Sequence, residues 1–175
     1  EAERRQLTVM FCDLVGSAAL SARLDPEDLR EVMKAYHTCI AEVTGRYEGV
    51  IARFMGDGVL AYFGYPQAHE DDAEQATRAA LALVDAVAAL QTDFGAGLQV
   101  RIGIATGTVV VGDLVGEGAA QEEAVIGETP NLAARLQTLA EPGTVLISAS
   151  THLLTSGDFE YRDLGPVALK GWTEP

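Results

Sequence analysis

The sequence predicts an α+β fold, a ferredoxin-like βαββαβ core with appended strands and with helices packed on a mainly antiparallel sheet. Three observations point there. Short runs rich in β-branched and apolar residues alternate with stretches whose apolar residues recur at helical spacing. The turn Met55-Gly56-Asp57-Gly58 joins two of those runs as a hairpin, and Asp-Gly is a strong short-range hairpin signal. Finally, the order strand, helix, hairpin, helix, strand is that of a split βαβ unit.

The segment Leu7 to Val15 reads as a buried strand that ends in a tight loop at Gly16-Ser17. Asp25 and Pro26 then mark a helix start, with Asp25 at the N-cap and Pro26 at the first helical position. Leu29, Val32, Tyr36, Ile40 and Val43 keep one face of that helix apolar. The hairpin strands are Gly49 to Phe54 and Val59 to Phe63. A second helix is expected from Glu70 to about Leu90, opened by acidic residues that suit its N-terminus. Strands at Leu98 to Ile104 and Thr108 to Gly112 are expected to meet across Ala105-Thr106-Gly107. Thr129-Pro130 caps a third helix, Asn131 to Leu139, whose core stripe is Leu132, Leu136 and Leu139. Val145 to Ile147, Phe159 to Arg162 and Val167 to Leu169 are further short strands. The helices are expected to cover one face of the sheet.

The 175 residues are 48% hydrophobic, enough for one substantial core, and with no composition break they read as a single domain, 1–175. A net charge of −14 excludes a nucleic-acid-binding surface, which needs clustered Lys and Arg. An anionic small substrate would need a local positive site, and there are 12 basic residues to build one. Cys12 and Cys39 show neither metal-ligand nor redox spacing and read as buried thiols in a reducing compartment. No apolar run approaches the roughly 20 residues of a membrane span, and Glu-Ala-Glu-Arg-Arg is unlike a signal peptide. A cytoplasmic domain, excised from a longer protein, is the expectation.

Two carboxylates stand at strand edges beside glycine. Asp13 ends the first strand and Asp57 occupies the hairpin tip, and a βαββ order lays that strand beside the hairpin. Paired carboxylates completed by water and triphosphate oxygens are how Mg²⁺ is held in phosphoryl-transfer sites. An aspartate that serves the turn alone is the other reading of Asp57. Val15, Gly16 and Ser17 could present backbone N–H groups to phosphates. Asn131 and Arg135 lie four residues apart, on one helix face, where they suit either ribose and transition-state contacts or a solvent-exposed polar pair. Arg101, inside an apolar strand, needs either a structural carboxylate or a ligand phosphate. The histidines, His37, His69 and His152, show no ligand spacing and read as structural or surface residues.

The fragments FCDLVGS, RFMGDGVLAYFG, RIGIATG and VIGETPNLAARLQ resemble, in order and spacing, the motifs of class III adenylate and guanylate cyclase catalytic domains. The likeness runs from Leu7 to Lys170, and GETPNLAARLQ is closest to the bacterial branch related to bicarbonate-responsive soluble cyclases. The resemblance implies a cyclase that turns ATP, or GTP in its place, into a 3′,5′-cyclic monophosphate and pyrophosphate. It implies two Mg²⁺ or Mn²⁺ ions held by Asp13, Asp57 and the Leu14 carbonyl. Asn131 and Arg135 become the ribose and transition-state pair, and Arg101 and Lys170 polyphosphate contacts. It also implies a homodimer with shared sites, in which the metal aspartates and Arg101 come from one chain and the base-reading positions, Asn131 and Arg135 from the other.

Two positions depart from the family pattern. Arg53 stands four residues before Asp57, where a lysine reads adenine, and Ala124 stands seven before Asn131, where an Asp or Thr accompanies it. Arginine has no acceptor and is bulkier and more rigid than lysine, so base discrimination is expected to be weak. A silent cyclase-like dimerisation module is the alternative. A palm-type nucleotidyl transferase would leave Asn131 and Arg135 without a role.

Overall fold

The computed structural model describes residues 4–65, 67–92, 95–96, 98–110 and 128–155. At its centre is β1 (Arg4–Leu14), followed by a short helix α1 (Ser17–Arg23), the long α2 (Pro26–Arg46), the hairpin β2 (Gly49–Met55) and β3 (Gly58–Phe63), and α3 (Asp72–Ala89). A two-residue ladder, β4 (Gln91–Thr92) with β5 (Gly95–Ala96), precedes β6 (Val100–Val110), α4 (Glu128–Leu139), β7 (Thr144–Ile147) and α5 (Ala149–Thr155). The five long strands form one sheet in the order β2-β3-β1-β6-β7, antiparallel except for the parallel β6–β7 pair. The four strands β2-β3-β1-β6 have the ferredoxin-like order that the sequence predicts, with β7 appended.

Alternation along β1 sorts the core. Met10, Cys12 and Leu14 meet Tyr36, Ile40 and Val43 of α2 and Ala76, Ala80, Leu83 and Val87 of α3 on one face. Leu7 and Val9 point the other way, to Leu60, Tyr62, Ala105 and Val109, and there Ala133 of α4 joins them. Every residue of β3 is buried, since both faces are covered. Helices therefore flank both sides of the sheet, not one.

The reason α4 can dock is Gly103. A Cβ there would lie 2.2 Å from the Ala133 carbonyl and 2.4 Å from the Gln137 nitrogen, so a side chain is what the close approach excludes. The helix backbone faces it directly: Thr129, Ala133 and Gln137 are the buried stripe, while Leu139 is 47% exposed. The expected Leu132-Leu136-Leu139 stripe is thus displaced by about a third of a turn, because the helix seats its backbone at Ala133 and Gln137 on the glycine.

Residues 100–110 form one unbroken strand where two were expected. Ala105, Thr106 and Gly107 pair in register with Val9, Thr8 and Leu7. Gly107 does not turn the chain; a Cβ there would meet the Thr129 hydroxyl at 2.6 Å, and that hydroxyl donates instead to the Thr108 carbonyl at 2.9 Å. Thr129 and Pro130 consequently lie within the first turn of α4, which starts at Glu128. Asp25 occupies the N-cap of α2 ahead of Pro26, without a side-chain capping bond. The expected strands at 159–162 and 167–169 lie outside the described residues, as does Gly112. No helix among the described residues is long and apolar enough to cross a membrane.

Candidate active site

The β1–β6 register sets Asp13 directly opposite Arg101, and the β1–β3 register sets it opposite Gly58 on the other side. All three sit on the sheet face that carries α4, in the strand row nearest the hairpin tip. Gly58 leaves that row without a side chain between Asp13 and the tip. Among the described residues, Asp13 Oδ1 and Arg101 Nε are both buried with no hydrogen-bond partner, although most buried polar atoms have one. Arg101 makes no ion pair with Asp13 or with any other described residue, so no carboxylate among the described residues accounts for it.

Asp57 reaches the same place from the hairpin. Gly56, at φ +65°, allows the tight turn, and four groups then hold the tip. The Leu14 N–H donates to the Asp57 carbonyl at 3.3 Å and the Tyr36 hydroxyl to the same oxygen at 2.9 Å. His37 Nε2 donates to the Gly56 carbonyl at 2.9 Å, and Ser17 Oγ donates to Asp57 Oδ2. The Asp57 carboxylate is left beside Asp13. Burial, then the charge of Asp57 and the hydrogen bond between the two carboxyls, push the Asp13 pKa above the ordinary carboxylate range; its backbone bond with Leu14 and the Arg101 guanidinium pull the other way. Two adjacent carboxyls, one with an unpartnered buried oxygen, fit a divalent cation by donor type and charge. Among the described residues there is no third His, Cys, Asp or Glu beside them, so further ligands would have to be carbonyl, water or phosphate oxygens.

In the adjoining loop, the Val15 N–H is already donated to the Gln99 carbonyl at 2.8 Å. The loop's offer to a phosphate therefore narrows to Gly16, in the left-handed region at φ +77°, and Ser17 at the start of α1. Arg53 pairs with Leu60 across β2–β3, and Leu60 pairs with Phe11, which places Arg53 one row from Asp13 on the same face.

Asn131 and Arg135 form a separate group. With Thr129, Ala133 and Gln137 turned to the sheet, the 100° step of the helix turns Asn131 and Arg135 to the opposite side. Asn131 is exposed and Arg135 half-buried, and among the described residues no hydrogen bond or ion pair joins either to Asp13 or Asp57. One chain thus gathers Asp13, Asp57, Arg101 and Ser17 at one end of the sheet and aims Asn131 and Arg135 outward. Ala124 and Lys170 lie outside the described residues.

Two residues of the tip went unnoticed in the sequence. Tyr36 reads as one more core position of α2, and His37 as a structural or surface residue with no link to Asp57. The available signal was a hydroxyl-bearing side chain in the middle of an apolar stripe.

The family profile of the "Adenylate and Guanylate cyclase catalytic domain" matches residues 1–175. The chain belongs to that family. As a cyclase-family domain it is similar to "Adenylate cyclase 1" of Rhizobium meliloti, at 32% identity over 174 residues, covering 96% of the chain and 26% of that protein. The fold superposes on the adenylyl cyclase CyaB of P. aeruginosa with a TM-score of 0.88 and 32% identity, covering 100% of this chain and 92% of that one. It also matches the guanylate cyclase domain of RhGC from Catenaria anguillulae, solved in complex with GTP, with a TM-score of 0.88 and 25% identity over 99% of this chain and 94% of that one. Among the curated relatives it matches, the cyclase domain spans between 17% and 32% of the full length.

Proposed function

We propose that the domain converts a nucleoside triphosphate into its 3′,5′-cyclic monophosphate and pyrophosphate. The observation that carries this reading is the Asp13–Asp57 pair: two carboxyls held together at one end of the sheet, with Asp13 Oδ1 and Arg101 Nε buried and, among the described residues, unpartnered beside them. Asp13 and Asp57, with the Leu14 carbonyl, would hold two Mg²⁺ or Mn²⁺ ions. When bound, such ions neutralise the triphosphate and favour loss of the proton from the ribose 3′-hydroxyl.

This chain's own groups do the rest. Arg101, whose guanidinium has an unused buried N–H, binds polyphosphate oxygens, with Lys170 as a second cation. Gly16 and Ser17 contribute backbone N–H groups at the phosphates. Asn131 orients the ribose so that its 3′-oxygen faces the α-phosphorus, and Arg135 stabilises charge that grows there as the bond to pyrophosphate breaks. Because Asn131 and Arg135 face away from their own sheet, we assign them to the site of a second copy. The working unit is a homodimer with two equivalent sites.

ATP is the first choice of substrate, with GTP as the competing nucleotide. The similar proteins include both adenylate and guanylate cyclases, and Arg53 with Ala124 fits neither a lysine-based adenine reader nor its usual partner. The test is product identification from ATP and from GTP, each with Mg²⁺ and Mn²⁺, beside Asp57→Ala. Cyclic product from the native domain and none from Asp57→Ala is expected. Absence of product from the native domain under every combination would overturn the assignment.

A further inference from the structure

We propose that Tyr36 and His37 are positioning residues for the metal site, a two-point latch by which α2 sets the position of the Asp57 carboxylate. The proposal rests on the reading of Asp57 as a metal ligand. Two neighbouring side chains of one helix hold two neighbouring carbonyls of one turn: Tyr36 Oη the Asp57 carbonyl at 2.9 Å, and His37 Nε2 the Gly56 carbonyl at 2.9 Å. Fixing consecutive carbonyls fixes the peptide planes between them, and so the direction of the Asp57 side chain.

Each latch residue is itself held. Tyr36 is fully buried in the core that α2 shares with β1, where a phenylalanine would pack equally well. A buried hydroxyl is costly unless it is bonded, and this one lies between the Asp57 carbonyl and the Cys12 thiol, 3.7 Å away. The His37 ring is flanked by Tyr36 and by Phe54, with centroids 5.6 Å and 4.5 Å away, which fixes its plane. Nε2 carries a hydrogen in the tautomer that donates to the Gly56 carbonyl and also in the imidazolium, so the bond does not depend on charge. Gly56 and Gly58 bracket Asp57, and glycine is the most permissive backbone residue, so the turn draws its rigidity from these outside bonds. Partners of this kind behind a metal ligand commonly govern metal affinity about 10–100-fold.

The test uses the domain with Mn²⁺ alone as probe, its binding followed by electron paramagnetic resonance, together with the Mn²⁺ activation curve of cyclic nucleotide formation. Tyr36→Phe keeps the packing and removes the hydroxyl. His37→Phe keeps the ring stack and removes the donor, and His37→Gln returns an N–H. Tyr36→Phe and His37→Phe should each weaken Mn²⁺ binding about tenfold and move the activation curve to higher metal by the same factor, with KM for the triphosphate unchanged; His37→Gln should recover most of the loss. Native Mn²⁺ affinity in folded Tyr36→Phe and His37→Phe, with Asp57→Ala showing a loss, would overturn the latch. Native affinity in Asp57→Ala would instead overturn the metal reading beneath it. If Tyr36→Phe does not fold, the His37→Phe and His37→Gln pair decides the matter alone.

Discussion

Substituting Gly103 by alanine tests how α4 is seated, and with it the placement of Asn131 and Arg135. The new Cβ would lie 2.2 Å from the Ala133 carbonyl, 2.4 Å from the Gln137 nitrogen and 3.0 Å from the Leu136 carbonyl carbon. All three are backbone atoms, so no rotamer change relieves the clash, and the closest falls about 1.2 Å short of ordinary contact. The helix must lift from β6 by about 1 Å. Overpacking of this kind costs about 1–3 kcal/mol, and with three backbone contacts the upper end applies. For a chain of this size about 3 kcal/mol is a fall in Tm of roughly 6–12 °C. A shift of about 1 Å in Arg135 should lower kcat by about 100-fold even at temperatures where the variant is folded. Thermal unfolding by circular dichroism and initial rates at saturating metal read the two effects. Gly45→Ala is the control, since a Cβ there has nothing within 4 Å and the position is helical; it should be neutral or stabilise by up to about 1 kcal/mol. A Gly103→Ala variant that melts with the native domain and turns over at the native rate would refute this seating of α4.

Removing one of the paired carboxyls should affect stability with a definite sign. Asp13 binds its proton more tightly folded than unfolded, so its contribution is present below the ordinary carboxylate pKa and is lost as pH rises through the raised folded value. Without divalent cation at neutral pH, Asp13→Asn should therefore melt above the native domain, and added Mg²⁺ should narrow the gap by stabilising the native domain alone, as calorimetry would show. Base selectivity gives a further check. The native domain should use ATP and GTP with kcat/KM values within about tenfold of each other, and Arg53→Lys should move the ratio toward ATP; a strong native ATP preference would show that other groups read the base. With each site drawing on two chains, as proposed, specific activity should also fall on dilution and recover on concentration, a behaviour that a site complete in one chain would not show.

Much of the fold could be read from the chain because its punctuation is conventional. Asp25-Pro26 and the Asp57-Gly58 turn mark boundaries that the structure keeps, and the hairpin beside β1 brings Asp57 to Asp13 as the strand order requires. The misreadings share a physical cause: glycine and small residues serve close approach here as much as chain reversal. Gly107 resembles a turn residue, yet it leaves room for Thr129 within a continuous strand, and Gly103 seats a helix whose docking stripe is Thr129, Ala133 and Gln137 instead of its leucines. The short α5 had no amphipathic signal because its buried residues are Thr151 and Thr155, which hydroxyl bonds to Thr106 and to the Thr151 carbonyl satisfy. Periodicity likewise hid the latch, since Tyr36 satisfies the apolar pattern of α2 while its hydroxyl does other work.

The most direct test of a site divided between two chains is complementation. Asp57→Ala lacks a carboxylate proposed to bind metal but keeps Arg135, and Arg135→Ala has the opposite defect, so each alone should be inactive. In a mixed dimer one site carries both defects and the other carries neither. Mixing equal amounts should then restore activity to about a quarter of the native level if dimers form at random. Recovery of that size is the predicted result. Two inactive variants that stay inactive together, while size-exclusion chromatography shows that mixed dimers form, would place Asp57 and Arg135 in the same chain's site and contradict the division.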